Sequence, residues 1–421
     1  MGVFAGPDIN ENGLVLALDA ANPKGYDNYE NLVKNSQTFE NWTANGSRAT
    51  ITTNQIVAPD GSLTADMIED ANSNSGFKNL YQYITITSTE TYTASLYVKA
   101  GTSDWANFYF DDTKVSFQFS TETILLDPNS GNLGGTGTAT AGFDNVGNGW
   151  YRLYLKDVYA SSAFRPFGIW TGANSQTYNP SYIGDPQYNF YIWGAQLERG
   201  SSVTDYYATT STTKTRGTTW GDLSGNGNNG TLVNGVGFGG GNGGSLSFDG
   251  VDDYVTLGTP SLMNGVQVPL TICVWAKANA LGSYNVLWGV DKSTTGGGLY
   301  SMLRVDFGQI RYFTTNYLGG IQVNGNVFSV STGVWNFYAV TVSGTISSPS
   351  VTIYLNNSSS TLSYSTLSSS PDLTVDFRIG SNQRAGEDWN GNISNALWYN
   401  RALTSTEIQQ NFNALRGRYG I

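Results

Sequence analysis

Between Ser245 and Leu257 the chain reads SLSFDGVDDYVTL, with Leu246, Phe248, Val251, Tyr254, Val255 and Leu257 set among small or acidic residues around an Asp249-Gly250 turn. Two half-buried strands joined by a turn read this way, because successive side chains on a strand point to opposite faces. The text just upstream, DLSGNGNNG from Asp222 to Gly230, is nearly all turn. Asp222, Ser224, Asn226, Asn228 and Asn229 offer side-chain oxygens, and the glycines between them reach positive φ at little cost. Such a loop either closes on itself through Asx turns or wraps a cation, and the residues fit both.

The 421 residues suffice for two ordinary domains, each with its own core. Apolar residues make up 39%, aromatics 13% and charged residues only 13%, with 51 glycines, which is the balance of a turn-rich β protein rather than of a disordered one. The formal net charge is −11 and no basic cluster occurs, so the electrostatic footprint of a nucleic-acid partner is absent. There is no histidine, which removes serine-histidine and cysteine-histidine catalysis and most zinc sites. The single cysteine, Cys273, sits in an apolar run and reads as a small buried hydrophobe. The opening MGVFAGPDINENG lacks a basic and apolar leader, so no signal peptide is expected, and no run is long enough to predict a membrane-spanning helix.

In chain order, residues 1–12 read as an extended arm and 13–20 as a strand. Leu14, Leu16 and Leu18 lie on one face of that strand and Val15 and Ala17 on the other, so it is expected to be covered on both sides or to pack under an inserted segment. Strand patterns recur at 65–70, 92–101, 149–160 and within 191–209, then at 270–276, 285–290, 299–305, 309–314, 335–343, 351–355 and 377–380. Stretches 296–298 and 358–370 are loops by composition. One helix is expected near the end: Thr404 with Glu407 three residues on forms a capping box, and Ile408, Phe412 and Leu415 follow at helical spacing.

The words W-G-D-L-S-G-N-G-N-N-G-T-L, F-D-G-V-D-D-Y-V, W-N-F-Y-A-V-T-V at 335–342 and G-N-I-S-N-A-L-W-Y-N-R-A-L-T-S-T-E-I at 391–408, in that order, resemble the laminin-G-like and concanavalin-like jelly rolls. In that family a segment like G-L-V-L-A-L-D-A-A-N-P-K-G-Y directly precedes the first of these words, and here it stands far upstream at 13–26. The resemblance therefore implies an insertion, with residues 1–27 and 214–421 forming one sandwich around residues 28–213. The intervening text, closing on Y-I-W-G-A-Q-L-E-R-G and a tyrosine-rich stretch, is similar to the carbohydrate-binding-module type of jelly roll found in virion proteins of tailed phages. The expected architecture is all-β: two jelly-roll β-sandwiches, the second inserted in the first, with one short C-terminal helix.

Asp222, Asn226, Asn228, Asp249, Asp252 and Asp253 offer hard oxygens that suit Ca²⁺, with Asp222, Asn226, Asp249 and Asp253 as the favoured set. The resemblance implies a structural ion at the sandwich rim, with Asp222 and Asp249 at its acidic positions, and Asx-turn formation explains Asp222 and Asp249 equally well. In the inserted segment Glu40 and Gln196 fall where related modules hold an ion. Carbohydrate binding needs flat rings for sugar CH faces with amides or carboxylates for the hydroxyls, and Trp105, Tyr109, Trp170, Tyr178 and Tyr182 sit among Asn, Asp and Ser in loop-like text. With 11 Trp, 26 Tyr and 19 Phe, most rings must nevertheless be core or subunit contact. The acidic spacing of concanavalin-like glucanases is missing, so no enzyme is expected. The implied role is a virion surface protein, a fibre or decoration component assembled as a homo-oligomer (a trimer favoured) with other virion proteins and host glycans as partners. The alternative is a secreted or cell-surface lectin, or the binding portion of a polysaccharide-active enzyme.

Overall fold

The computed structural model describes residues 8–44, 49–71, 75–87, 90–130, 139–159, 161–170, 181–259, 269–291, 300–315, 321–323, 328–345, 348–363, 376–382 and 386–421. The chain divides into two compact units, one made of residues 1–28 with 217–421 and the other of residues 29–216. Both are β-sandwiches, and the chain carries one α-helix among the described residues, Ser405–Tyr419.

In the first unit, strand Asn390–Tyr399 lies inside one sheet, flanked on one side by Leu270–Ala278. Its other edge is shared end to end by two short strands: Ser245–Asp249 pairs with residues 390–393, and Leu14–Asp19 pairs with residues 395–399. The first strand of the chain thus completes a sheet whose other strands all follow residue 217. Leu16 and Leu18 are buried in the core between the two sheets, while Ala17 and Leu14 pack on the other side with the helix residues Ile408, Phe412 and Leu415. The strand is apolar on both faces because both are covered. The facing sheet runs Thr219–Trp220, Gly230–Val233, Tyr254–Gly258, Phe377–Ile379, Asn285–Asp291, Tyr300–Asp306, Gln309–Thr315 and Ile321–Val323. Cys273 is fully buried on the helix side.

The composition of 358–370 misleads in part. Ser358–Ser363 is an edge strand paired with Ser348–Leu355 from Leu355↔Ser358 to Ser350↔Ser363. An edge strand buries little, so serine is tolerated there, and the register is set by the Asn356-Asn357 turn rather than by an apolar face. Residues 296–298, also expected to be loop, lie outside the described residues.

The second unit stacks two six-stranded sheets, counting described strands. One runs Thr123–Leu126, Thr113–Gln118, Trp105–Phe110, Ala163–Trp170, Asn79–Ile86, Thr43–Ala44; the other runs Thr140–Gly147, Trp150–Val158, Thr91–Ala100, Asn189–Arg199, Ala65–Asp70, Ala49–Ile56. Alternate residues such as Phe108, Phe110, Phe117, Phe167 and Ile169 from the first meet Ala94, Leu96, Val98, Leu153 and Ile192 from the second in one core. The two ends of this unit are tied together: Asn31 and Lys214 exchange backbone hydrogen bonds of 2.8 and 2.9 Å. Buried Glu30 pairs with Arg199 at 2.7 Å and with Arg216 at 3.5 Å.

Candidate functional site

The Asp222 loop closes on itself and on the first strand. Asp222 Oδ1 accepts from the backbone N–H of Ala17 (3.0 Å) and of Ser224 (2.9 Å), and its Oδ2 accepts from that of Asn228 (2.9 Å). Asn226 Nδ2 donates to the carbonyls of Leu14 and Val15, and Asn228 Nδ2 donates to Val15. These side chains fasten strand Leu14–Asp19 to the loop more than 200 residues away. The ligand set expected from sequence is corrected in this respect, because Asp222 lies outside the acidic group formed by Asp249, Asp252 and Asp253.

Those three carboxylates each place an oxygen within 4.8 Å of the others, at the turn between Ser245–Asp249 and Tyr254–Gly258. The turn brings them together because Asp249 Oδ1 accepts from Val251 N–H (2.8 Å) and Asp253 Oδ2 accepts from Asp249 N–H (3.0 Å). Asp253 is only 4% exposed, and its other oxygen is buried with no hydrogen-bond partner. Burial pushes the Asp253 carboxyl up to about 7, the Asp249 N–H opposes this, and the negative charges of Asp249, Asp252 and Asp388 add to it. Asp388 is raised as well, by its own burial first and by Asp249 and Asp252 in addition. Hard oxygen donors, mutual repulsion and one orphaned buried oxygen are what a Ca²⁺ site supplies, so Asp249, Asp252 and Asp253 fit that ion. In the second unit Gln196 is engaged with Glu198 and Tyr207, and Glu40 is an exposed charge that helps burial lift Asp66 to about 6.

Three of the aromatic candidates, Trp105, Tyr109 and Trp170, stand on strands rather than in loops. Trp105 and Tyr109 lie on strand Trp105–Phe110, and Trp170 ends strand Ala163–Trp170. Tyr109 is 7% and Trp170 1% exposed, and they stack on each other at 4.9 Å and 23°. Tyr109 lies flat across Gly168, where a Cβ would come within 2.3 Å of its ring. Asn79 Nδ2 donates to its hydroxyl at 2.6 Å, and burial raises that hydroxyl's pKa. Rings so covered have no free face for a sugar. Tyr178 lies outside the described residues, as does the side chain of Tyr182 on strand Ser181–Ile183.

The exposed rings stand elsewhere on the same sheet. Tyr83 is 54% and Phe164 67% exposed; they stack at 5.8 Å and 21°, and Tyr81 meets Tyr83 edge-on at 5.5 Å. Register explains the meeting, since Pro166 pairs with Tyr83 and Phe164 with Thr85 on adjacent strands, one face carrying all of them. Beside the pair runs a groove of about 430 Å³ lined by Lys34, Asn35, Gln82, Tyr83, Thr85 and Phe164 among others. Gln82 is fixed there, accepting from the Lys34 N–H (2.9 Å) and donating to its carbonyl (2.8 Å). Tyr81 and Tyr83, two residues apart in Y-Q-Y-I-T and so on one strand face, were the available sequence signal. A larger groove of about 600 Å³, between the arm, the first strand and the helix, has no aromatic residue in its lining.

Residues 249–409 match the family model described as the concanavalin A-like lectin/glucanases superfamily, a laminin-G-type model. No curated protein matches. Among solved structures the chain is similar to domain 4 of AbnA, an extracellular arabinanase of family GH43 from Geobacillus stearothermophilus, in complex with arabinotriose. That likeness has 16% identity and a TM-score of 0.35, covering 46% of this chain and 91% of that one. The binding domain of Paraclostridial Mosquitocidal Protein 1 overlaps at 18% identity and TM-score 0.38, over 46% of this chain and 49% of that one. The sialidase CBM40 module of Ruminococcus gnavus bound to sialyllactose overlaps at 13% identity and TM-score 0.27, over 34% and 83% respectively.

Proposed function

We propose that the chain is a non-catalytic glycan-binding protein whose second unit holds sugar on the open sheet face at Tyr83 and Phe164. The observation that carries this reading is the pair of stacked, solvent-facing rings beside a groove lined by both apolar side chains (Leu32, Trp42, Ile84) and polar ones (Lys34, Asn35, Gln82). Two large rings left in water are costly unless a ligand covers them, and a pyranose offers CH groups for the rings and hydroxyls for Lys34, Asn35 and Gln82. The lectin-type family match over 249–409 supports the same class of function for the first unit. A Ca²⁺ held by Asp249, Asp252 and Asp253 serves that unit as a structural ion.

The finer placement on a virion surface, as a fibre or decoration component built from several copies, rests on the resemblance of the arm, the split sandwich and the Y-I-W-G-A-Q-L-E strand. Several copies on one particle convert weak sugar contacts into avidity. The second reading, a lectin or the binding portion of a polysaccharide-active enzyme, is favoured by the same family match, whose description covers glucanases as well as lectins.

A glycan array probed with the intact chain tests the function. Retention of a defined set of glycans, weakened about tenfold or more when Tyr83 and Phe164 are both changed to Ser, is the expected outcome. An array with no retained glycan overturns it.

A further inference from the structure

Strands Tyr300–Asp306 and Gln309–Thr315 are joined by a two-residue turn, Phe307-Gly308, with Asp306 paired directly to Gln309. Both turn residues are left-handed, at φ 47° and 75°. That is the type I′ geometry for which Asn-Gly is the usual pair, and a bulky side chain at its first position is strained. The ring so placed is 69% exposed and packs edge-on against Tyr284, itself 41% exposed, at 6.0 Å. A costly backbone conformation that ends in a solvent-facing phenyl ring is the kind of strain found where a side chain must be displayed.

Tyr284 is held from below. The Arg304 guanidinium lies 4.7 Å from its ring centroid, and Arg304 is anchored by Asp306 at 2.7 Å and Glu387 at 3.3 Å, with Asp306 fully buried. The loop carrying Tyr284 is clamped through Asn285, which accepts from Gly282 N–H (3.0 Å) and donates to the carbonyls of Gly282 (3.1 Å) and Val305 (2.8 Å). Next to the rings Gln309 Nε2 donates to Ser329 Oγ at 3.0 Å, an exposed pair of hydroxyl and amide groups. The strands that end here in Asp306 and begin here in Asn285 belong to the sheet whose Tyr254–Gly258 strand starts beside Asp253, so all of these groups share one end of that sheet.

We propose that Tyr284 and Phe307 form a second carbohydrate contact on the rim of the first unit, the exposed Phe307 ring taking the CH face of one pyranose and Tyr284, set edge-on to it, closing one side, independent of the Tyr83–Phe164 face. This rests on the glycan-binding reading of the chain. Two rings bury roughly 300–500 Å² at most, well short of the about 800 Å² per partner of a stable protein interface, whereas they match the CH face of a single sugar. The backbone that carries the rings is held in place by the Asn285 hydrogen bonds and the two-residue turn, so less freedom is lost on binding.

Affinity electrophoresis of the full chain through gels cast with a panel of plant, algal and bacterial polysaccharides tests it. Phe307→Asn removes the ring and installs the residue this turn favours, so the variant melts at or above the parent temperature. Its dissociation constant in a retarding gel rises about tenfold. Adding it to the Tyr83→Ser, Phe164→Ser chain removes the retardation that the double variant retains. If Phe307→Asn migrates as the parent does while the Tyr83, Phe164 variant loses retardation, the second contact is overturned and the glycan reading stands. A parent that no polysaccharide retards overturns both. Conversion of an oligomer to a smaller species by Phe307→Asn in light scattering, with retardation unchanged, assigns the rings to a contact between copies and also overturns the proposal.

Discussion

At Asp253 a buried carboxylate oxygen has no hydrogen-bond donor, while Asp249, Asp252 and Asp388 crowd it with like charge. A divalent cation that binds the folded chain and not the unfolded one removes that penalty and stabilises the fold by about 2.7 kcal/mol at a hundredfold excess over its dissociation constant. The expected result is a melting temperature that rises on adding CaCl₂ and falls back with EGTA, and an Asp253→Asn chain that melts no lower than the parent in EGTA but ignores Ca²⁺. Equal Ca²⁺ shifts in parent and variant would remove Asp253 from the ligand set. At this scale the sequence was only half legible. Asp222 and Asp249 stand in similar Asx-turn text, and only the folded chain separates an aspartate saturated by three backbone N–H groups from one gathered with other carboxylates. The aromatics failed for a related reason: Trp105 and Tyr109 alternate with the core residues Ala106, Phe108 and Phe110 on a strand, not a loop, and they share the outer face of the sheet with Tyr81 and Tyr83, so sequence alone does not tell the covered end of that face from its open end.

Among the elements, the C-terminal helix was the most legible, because its cap is written locally. Thr404 Oγ1 accepts from Glu407 N–H (3.3 Å) and Glu407 Oε2 accepts from Thr404 N–H (2.8 Å). What the sequence did not announce is that Glu407 also receives two bonds from Arg401 and one from Asn10 Nδ2, tying the arm to the helix. Hydrogen bonds from Arg401 first, and from the Thr404 backbone next, hold the Glu407 carboxyl at about 2, below its ordinary value of 4.5. A carboxylate lowered in the folded state contributes stability above its ordinary value and loses it as pH falls toward the folded one. Glu407→Gln is therefore expected to cost about 1 kcal/mol near neutral pH. It is also expected to flatten the loss of stability between about pH 4.5 and 2, measured by thermal melts across that range. Identical acid profiles in both chains would show that the cap does not titrate with the fold. The edge strand Ser358–Ser363 was illegible, since nothing in a serine run specifies a face.

For the whole molecule, the displaced G-L-V-L-A-L-D words already pointed to a sandwich interrupted by another. The two compact units meet the chain between residues 28 and 29 and between 216 and 217. We expect a fragment of residues 29–216 to melt cooperatively by itself, since its core and its paired ends are internal to it. A fragment of residues 217–421 lacks Leu16 and Leu18, both buried, and leaves the 395–399 edge of a central strand unpaired, so it should lack a cooperative melt. A sharp transition in that second fragment would refute the dependence on strand Leu14–Asp19. The face proposed to hold sugar was beyond the reach of sequence because exposure at Tyr83 and Phe164 depends on which strands are neighbours, and Asn79–Ile86 and Ala163–Trp170 are separated by more than 70 residues. The most direct test of the account is isothermal titration of the full-length chain with the oligosaccharide it retains best, repeated with Tyr83 and Phe164 both changed to Ser. The account predicts affinity cut at least tenfold, with melting shifted by no more than about 0.5 kcal/mol because both rings are exposed. Equal affinities in the two chains would contradict it.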